Sequence, residues 1–244
     1  MKLLMFEVIT PLGRIQRLGA LLKNADYVLD LNNAYAWWLS EHGPYAHNET
    51  QATPLAQVIL PATMRGLIDG GVRSLEAAQT VLDYANSHFD VSEHKRYKGL
   101  HGENLIFELK TVRLKCPLPN PNSLRDFITF EAHIKRGYEI RQAPMPQEWY
   151  NRPVYYKGNH RSIIGPNLPV YWPSYTQKLD YELEYACVLG KTGINISEVD
   201  AEDHIFGYCI LNDFSARDVQ FKEMTVRLGP AKGKDFCTAI GPYI

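Results

Sequence analysis

The chain has 244 residues, with 26 lysines and arginines against 27 aspartates and glutamates and a formal net charge of -1. That length suffices for one large or two modest domains whose cores need no disulfide or metal staple. The balanced charge offers no positive field to a phosphate backbone, so nucleic acid is not an expected partner.

From the N-terminus, residues 3–9 and 26–31 read as short apolar strands, while Leu55–Ile68 and Val72–Phe89 carry apolar residues at helical spacing. Glu7, Pro11 and Arg14 interrupt the first apolar run before a signal-peptide core or membrane span forms, so a soluble protein with no membrane partner is expected. Cys116, Cys187, Cys209 and Cys237 form no CxxC pair, which fits a reducing cytoplasm better than a zinc knuckle or a disulfide scaffold. Cys116-Pro117-Leu118-Pro119-Asn120-Pro121-Asn122 has three prolines in five residues, an extended connector that neither a helix nor a central strand tolerates. The expected division is a small mixed N-terminal domain, 1–117, and a mostly β domain, 118–244, an α+β chain as a whole.

Beyond the connector, Ser123-Leu124-Arg125-Asp126 has the spacing of a capping box, compatible with a helix to Arg136 that presents Asp126 and His133 on one face. Tyr181–Leu189 reads as a strand with Tyr181, Leu183 and Tyr185 on one face and Asp180, Glu182 and Glu184 on the other. Carboxylates about 7 Å apart on one strand face either look into solvent or are drawn together by a hard cation. Ala186 and Val188 continue that face, which suggests the border of a cavity. Ser197 and Asp200 have capping-box spacing for a short helix ending near Gly207. A strand over Tyr208–Leu211 then runs into the polar stretch Asn212–Gln220, leaving Asp213 as a turn residue or a metal ligand at the strand end. Leu228–Asp235 superficially resembles a phosphate loop, but its spacing fails and Asp235 stands where a Ser or Thr must hold magnesium. No internal repeat is present.

Asp126 with His133, Glu182-Leu183-Glu184, Asn212-Asp213-Phe214-Ser215-Ala216-Arg217-Asp218-Val219-Gln220 and Gly233-Lys234-Asp235-Phe236 resemble, in order and spacing, the fumarylacetoacetate hydrolase superfamily. The resemblance covers roughly residues 120–244 and implies a β-roll or sandwich after a small N-terminal domain. It implies that Asp126, Glu182, Glu184 and Asp213 ligate a divalent metal ion, magnesium, calcium or manganese. His133 becomes the base that activates a water, and Lys234 stabilises negative charge on the substrate. Tyr156, Arg217, Gln220 and Arg141 are candidates for substrate binding. The implied activity is hydrolysis of a carbon-carbon bond in an acylpyruvate or related 2-oxo acid, in a homodimer. Decarboxylation, hydration or tautomerisation at the same site, and a non-catalytic metal-binding protein, are the alternatives. A phosphoryl-transfer enzyme is the more distant one, since carboxylate clusters also hold magnesium there. Relatives of this layout continue beyond the segment matching Ala239–Ile244, so the expectation includes a β domain that is incomplete at its C-terminus.

Overall fold

The computed structural model describes residues 1–43 and 46–244. Strands β1 (Leu3–Thr10) and β2 (Gly13–Leu21) form a hairpin, then β3 (Tyr27–Asp30) leads into α1 (Leu31–His42). Asp30 caps α1 by accepting from the Asn33 amide, and its carboxylate takes a two-pronged contact from Arg17 at 2.7 and 2.9 Å. Burial pushes the Asp30 carboxyl up against the opposing pull of that guanidinium. Helices α2 (Glu49–Ile59) and α3 (Met64–His88) follow, then β4 (Ile106–Glu108) and β5 (Arg113–Lys115). The five strands form a sheet in the order β4-β3-β2-β1-β5. Leu18, Leu29, Leu31, Leu60, Leu67 and Val81 are fully buried in the core that the helices make with it.

The expected helix Leu55–Ile68 is two helices. Pro61 has no amide to donate, and Thr63 caps a new start by accepting from the Gly66 amide. The strand β2 and the helix α1 carry no periodic signature that the sequence reading singled out. Within α3, Gly71 adopts φ +59 and kinks the helix. Gly71→Ala should therefore cost roughly 1–3 kcal/mol, read as a lowered thermal midpoint, and an unchanged midpoint would show that the kink is relaxed elsewhere.

The rest of the chain contains β6 (Leu124–Phe127), α4 (Glu131–Ile140), α5 (Glu148–Asn151), β7 (Tyr155–Gly158), β8 (Ile163–Ile164), β9 (Leu179–Leu189), β10 (Ile205–Ala216), α6 (Arg217–Met224) and β11 (Thr238–Ile240). Strands β8-β11-β10-β9 make a second sheet, and β6 and β7 form a separate ribbon. Two corrections follow. Ser123–Asp126 does not open a helix: residues 124–127 pair with β7, and the helix begins at Glu131, so Asp126 and His133 share no helix face. The capping-box spacing was read correctly at Ser197, whose hydroxyl accepts from the Asp200 amide, but the element that follows is only a 3-10 turn over Ala201–His204. Strand β10 begins at Ile205, because its β-prone run outcompetes a longer helix. Strand β10 also runs on through Asn212–Ala216, so Asp213 is neither in a turn nor at a strand end.

Residues 243–244 return to the first sheet: the Leu3 amide donates to the Ile244 carbonyl at 2.8 Å, and the Ile244 amide to the Leu3 carbonyl at 3.0 Å. Among the described residues, no helix is long and apolar enough to cross a membrane.

Candidate metal centre

Antiparallel pairing of β9 and β10 sets Asp213 directly opposite Glu182, Leu211 opposite Glu184 and Ser215 opposite Asp180. All of these lie on one face of the sheet, by the two-residue period of a strand. Glu182 and Glu184 are half-buried on it while Tyr181, Leu183 and Tyr185 are 59%, 70% and 68% exposed, so the carboxylates take the sheltered side of β9. The ribbon supplies the rest. Asp126 pairs with Tyr156 across β6 and β7, and both side chains reach the sheet.

Asp126, Glu182 and Glu184 each offer a carboxylate oxygen within 4.8 Å of the others. Asp213 is beside them: its Oδ2 accepts from the Tyr156 hydroxyl and from Lys234 Nζ at 2.9 Å, whereas its Oδ1 is buried without a hydrogen-bond partner. Lys234 is almost wholly buried and donates its three protons to Glu182 Oε2 at 2.5 Å, Asp213 Oδ2 and Ser215 Oγ at 2.7 Å. Arg217, the first residue of α6, reaches Glu182 at 2.5 Å, Asp180 at 2.9 Å and Gln220 Oε1 at 3.1 Å.

The electrostatics show what this packing costs. Burial, then the charges of Asp213, Glu184 and Glu182, pushes the Asp126 carboxyl up to about 7. Burial and the neighbouring Glu182 and Asp213 raise Glu184 as well. Burial also pushes up Asp213, in spite of Lys234 and Tyr156. Glu182 goes the other way: burial would raise it, but the bonds and charges of Lys234 and Arg217 outweigh that and hold it below the ordinary range. Burial and Asp213 push the Tyr156 phenol far up, so it stays a donor.

The donor set suits a hard divalent cation. Asp126, Glu182, Glu184 and Asp213 bring four negative charges when ionised, against two from Lys234 and Arg217, and the orphaned Asp213 Oδ1 is an acceptor with nothing to accept from. In the metal-free state a stability consequence follows. With Asp126 at about 7 folded and 3.8 unfolded, the folded chain binds more protons between those values, so its stability falls as pH rises from about 4 to about 7. Glu184 and Asp213 act with the same sign and Glu182 with the opposite one. Asp126→Asn should flatten the decline of the chelated protein's thermal midpoint between pH 5 and pH 7.5, and an identical slope in the two proteins would refute the assignment.

The structure places the other expected residues less centrally. His133 lies on the exposed first turn of α4, near enough for its charge to be felt at Glu184. Arg141 is at the far end of that helix, its guanidinium 5.6 Å from the centre of the Tyr138 ring. Gln220 touches Arg217. Two participants were missed: Ser215, which follows Asp213 by the strand period and so had a signal in the sequence, and Glu223, whose partners are backbone amides that no sequence pattern exposes.

Residues 124–244 match the fumarylacetoacetate (FAA) hydrolase C-terminal family. The chain is 34% identical over 174 residues to a fumarylacetoacetase of Oryza sativa subsp. japonica, the match covering 58% of this chain and 40% of that protein. It is 30% identical over 185 residues to a mitochondrial oxaloacetate tautomerase of Xenopus laevis, covering 76% and 50%. It thus spans half or less of the length of these curated relatives. Among solved structures, a fumarylacetoacetate hydrolase from Exiguobacterium antarcticum superposes with a TM-score of 0.58 at 22% identity, covering 100% of this chain and 66% of that one. A maleylpyruvate hydrolase from Sphingobium sp. SYK-6, in complex with manganese(II) and pyruvate, does so with a TM-score of 0.57 at 20% identity and the same coverage. Similarity at that level carries the fold, while the sequence relatives and the matched C-terminal region carry the descent: the chain belongs to the fumarylacetoacetate hydrolase superfamily.

Proposed function

We propose that Asp126, Glu182, Glu184 and Asp213 hold a divalent cation, magnesium, calcium or manganese, and that the chain hydrolyses a carbon-carbon bond in an acylpyruvate-type 2-oxo acid. The observation that carries this reading is the convergence of three carboxylates within 4.8 Å beside the unpartnered Asp213 Oδ1. When bound, the ion supplies Lewis acidity to a chelated 2-oxo group. The chain's own residues do the rest. His133 takes the proton of the attacking water, in keeping with the near-neutral titration of imidazole. Lys234 lends a fixed positive charge to the oxygen on which negative charge gathers. Tyr156 stays protonated and occupies Asp213 Oδ2, which leaves Oδ1 as the ligand atom. Arg217 and Gln220 steady Glu182 from α6 and, with Tyr156 and Arg141, remain the groups we assign to the substrate.

A second reading has its own support. His133 is exposed, whereas Lys234 and the carboxylates are already assembled, an arrangement sufficient for enolate chemistry without an attacking water, such as tautomerisation. The division of the chain near Pro117 is part of the same proposal, supported by the separate sheets on either side of it. So is a homodimer, supported by the outward tyrosines and leucines of β9.

The test follows ultraviolet absorbance of acylpyruvates and of enol-oxaloacetate with the 244-residue chain, with magnesium, with manganese and with chelator. Cation-dependent loss of the diketone band with release of pyruvate supports hydrolysis. Cation-dependent ketonisation alone supports the second reading, and cation-independent rates would sink both.

A further inference from the structure

Helix α6 presents Arg217, Gln220 and Glu223 at intervals of three along one side. Arg217 grips Glu182, as described. Gln220 packs against the loop that returns to Lys234: a Cβ added at Gly233 would lie 2.8 Å from Gln220 Cα, so loop and helix backbones are in direct contact. Glu223 is the third member, and its carboxylate accepts from three consecutive amides of that loop, Ala231 and Gly233 on Oε2 at 3.1 and 3.0 Å and Lys232 on Oε1 at 2.9 Å. The residue after these three is Lys234.

A run of three amides pointing inward makes a concave donor site of the kind that ordinarily receives an anion. Here the anion is built in. Burial pushes the Glu223 carboxyl up, and the three amides outweigh it and hold it below the ordinary range, so the cradle is charged at neutral pH. Residues 225–229 are exposed, and their backbone bonds only continue the turn of α6. Two other bonds anchor the loop, from the Ala216 amide to the Gly233 carbonyl and from the Tyr175 hydroxyl to the Lys232 carbonyl, each 2.8 Å.

We infer that Glu223 is a positioning residue which, by clamping the amides of residues 231–233 onto α6, fixes how deeply Lys234 reaches between Glu182 and Asp213. The inference rests on the proposed role of Lys234 for its functional meaning, but its structural content can be tested apart from turnover. In Glu223→Gln one oxygen becomes an NH2 that cannot accept, which leaves at least one amide facing a donor. The Ala216 and Tyr175 bonds remain to keep the chain folded.

The experiment is timed reductive methylation of the whole chain with formaldehyde and cyanoborohydride, read residue by residue by mass spectrometry. Wild-type Lys234 should be protected and exposed Lys232 modified quickly. In E223Q, Lys234 should be modified at least about tenfold faster, with Lys232 unchanged and the thermal transition still cooperative; an effect of this kind follows when a buried group's local opening becomes easier. Should E223Q fail to fold, Glu223→Asp, which keeps the charge and withdraws it by one methylene, takes its place with the same expectation. Equal protection of Lys234 in a folded variant overturns the inference. With an acylpyruvate or enol-oxaloacetate, kcat should fall about tenfold or more in E223Q with KM within about twofold, the pattern of a group acting in the transition state. Loss of Lys234 protection without turnover in the wild type would strike the proposed function and leave the clamp standing.

Discussion

Lys234→Met should lower the stability of the metal-free protein by about 3–5 kcal/mol, the usual cost of removing one partner from a buried ion cluster. The side chain is 2% exposed, and its ammonium separates Glu182 from Asp213, whose Cα positions are directly paired across β9 and β10. Without it those two carboxylates face each other in a site where Asp126 and Glu184 already resist ionisation. For a chain of this size the loss corresponds to a thermal midpoint about 10 °C lower, best measured in chelator at pH 7.5. Adding manganese should recover part of the loss, because a ligand that binds only the folded state stabilises it by mass action. A midpoint within about 3 °C of wild type would mean that Lys234 does not hold the carboxylates apart.

The second large effect is expected for Glu182→Gln, in cation affinity. Outer-sphere partners of metal ligands typically contribute 10–100-fold to affinity, so loss of a ligand carboxylate should weaken manganese binding by about 100-fold or more, with turnover falling at least as far. Glu182 touches both cations of the site, so the amide also loosens Lys234 and Arg217. Stability of the metal-free chain should change less than in Lys234→Met, because the lost ion pairs are offset by relief of repulsion with Glu184 and Asp126. Calorimetric titration with manganese, beside a melting curve in chelator, separates the two effects. Unchanged affinity in a folded variant would remove Glu182 from the metal set.

The strands of the site were legible because their chemistry is written in alternation. Glu182 and Glu184 fall two residues apart in a run that otherwise alternates with Tyr and Leu, and that period alone predicts a shared face. Asp126 was legible as a residue and misread in its element, because Ser-x-x-Asp capping spacing occurs in strands as well, and only the pairing of Leu124–Phe127 with Tyr155–Gly158 decides between them. The long helix expected across Pro61 was a similar error, in which apolar spacing outweighed the missing amide of a proline. What the sequence did not disclose at all is tertiary. The contacts of Lys234 with Ser215 and of Glu223 with residues 231–233 depend on a loop folding back on α6, and no local pattern encodes that return. The exposed place of His133 likewise reflects the ribbon and α4 together.

The seam between the β6–β7 ribbon and the β9–β10 sheet has a consequence in time as well as in energy. Asp126 and Tyr156 meet the sheet through carboxylates and a phenol. Aliphatic burial, which dominates the first sheet, contributes little there, since Phe127 and Tyr155 are 40% and 44% exposed. An ion gripping Asp126 together with Glu182 would bind ribbon to sheet, so the opening rate of the ribbon should follow cation concentration. Amide hydrogen exchange over residues 124–158 would then slow on adding manganese, while the strands β1–β3 keep the same exchange clock with or without it.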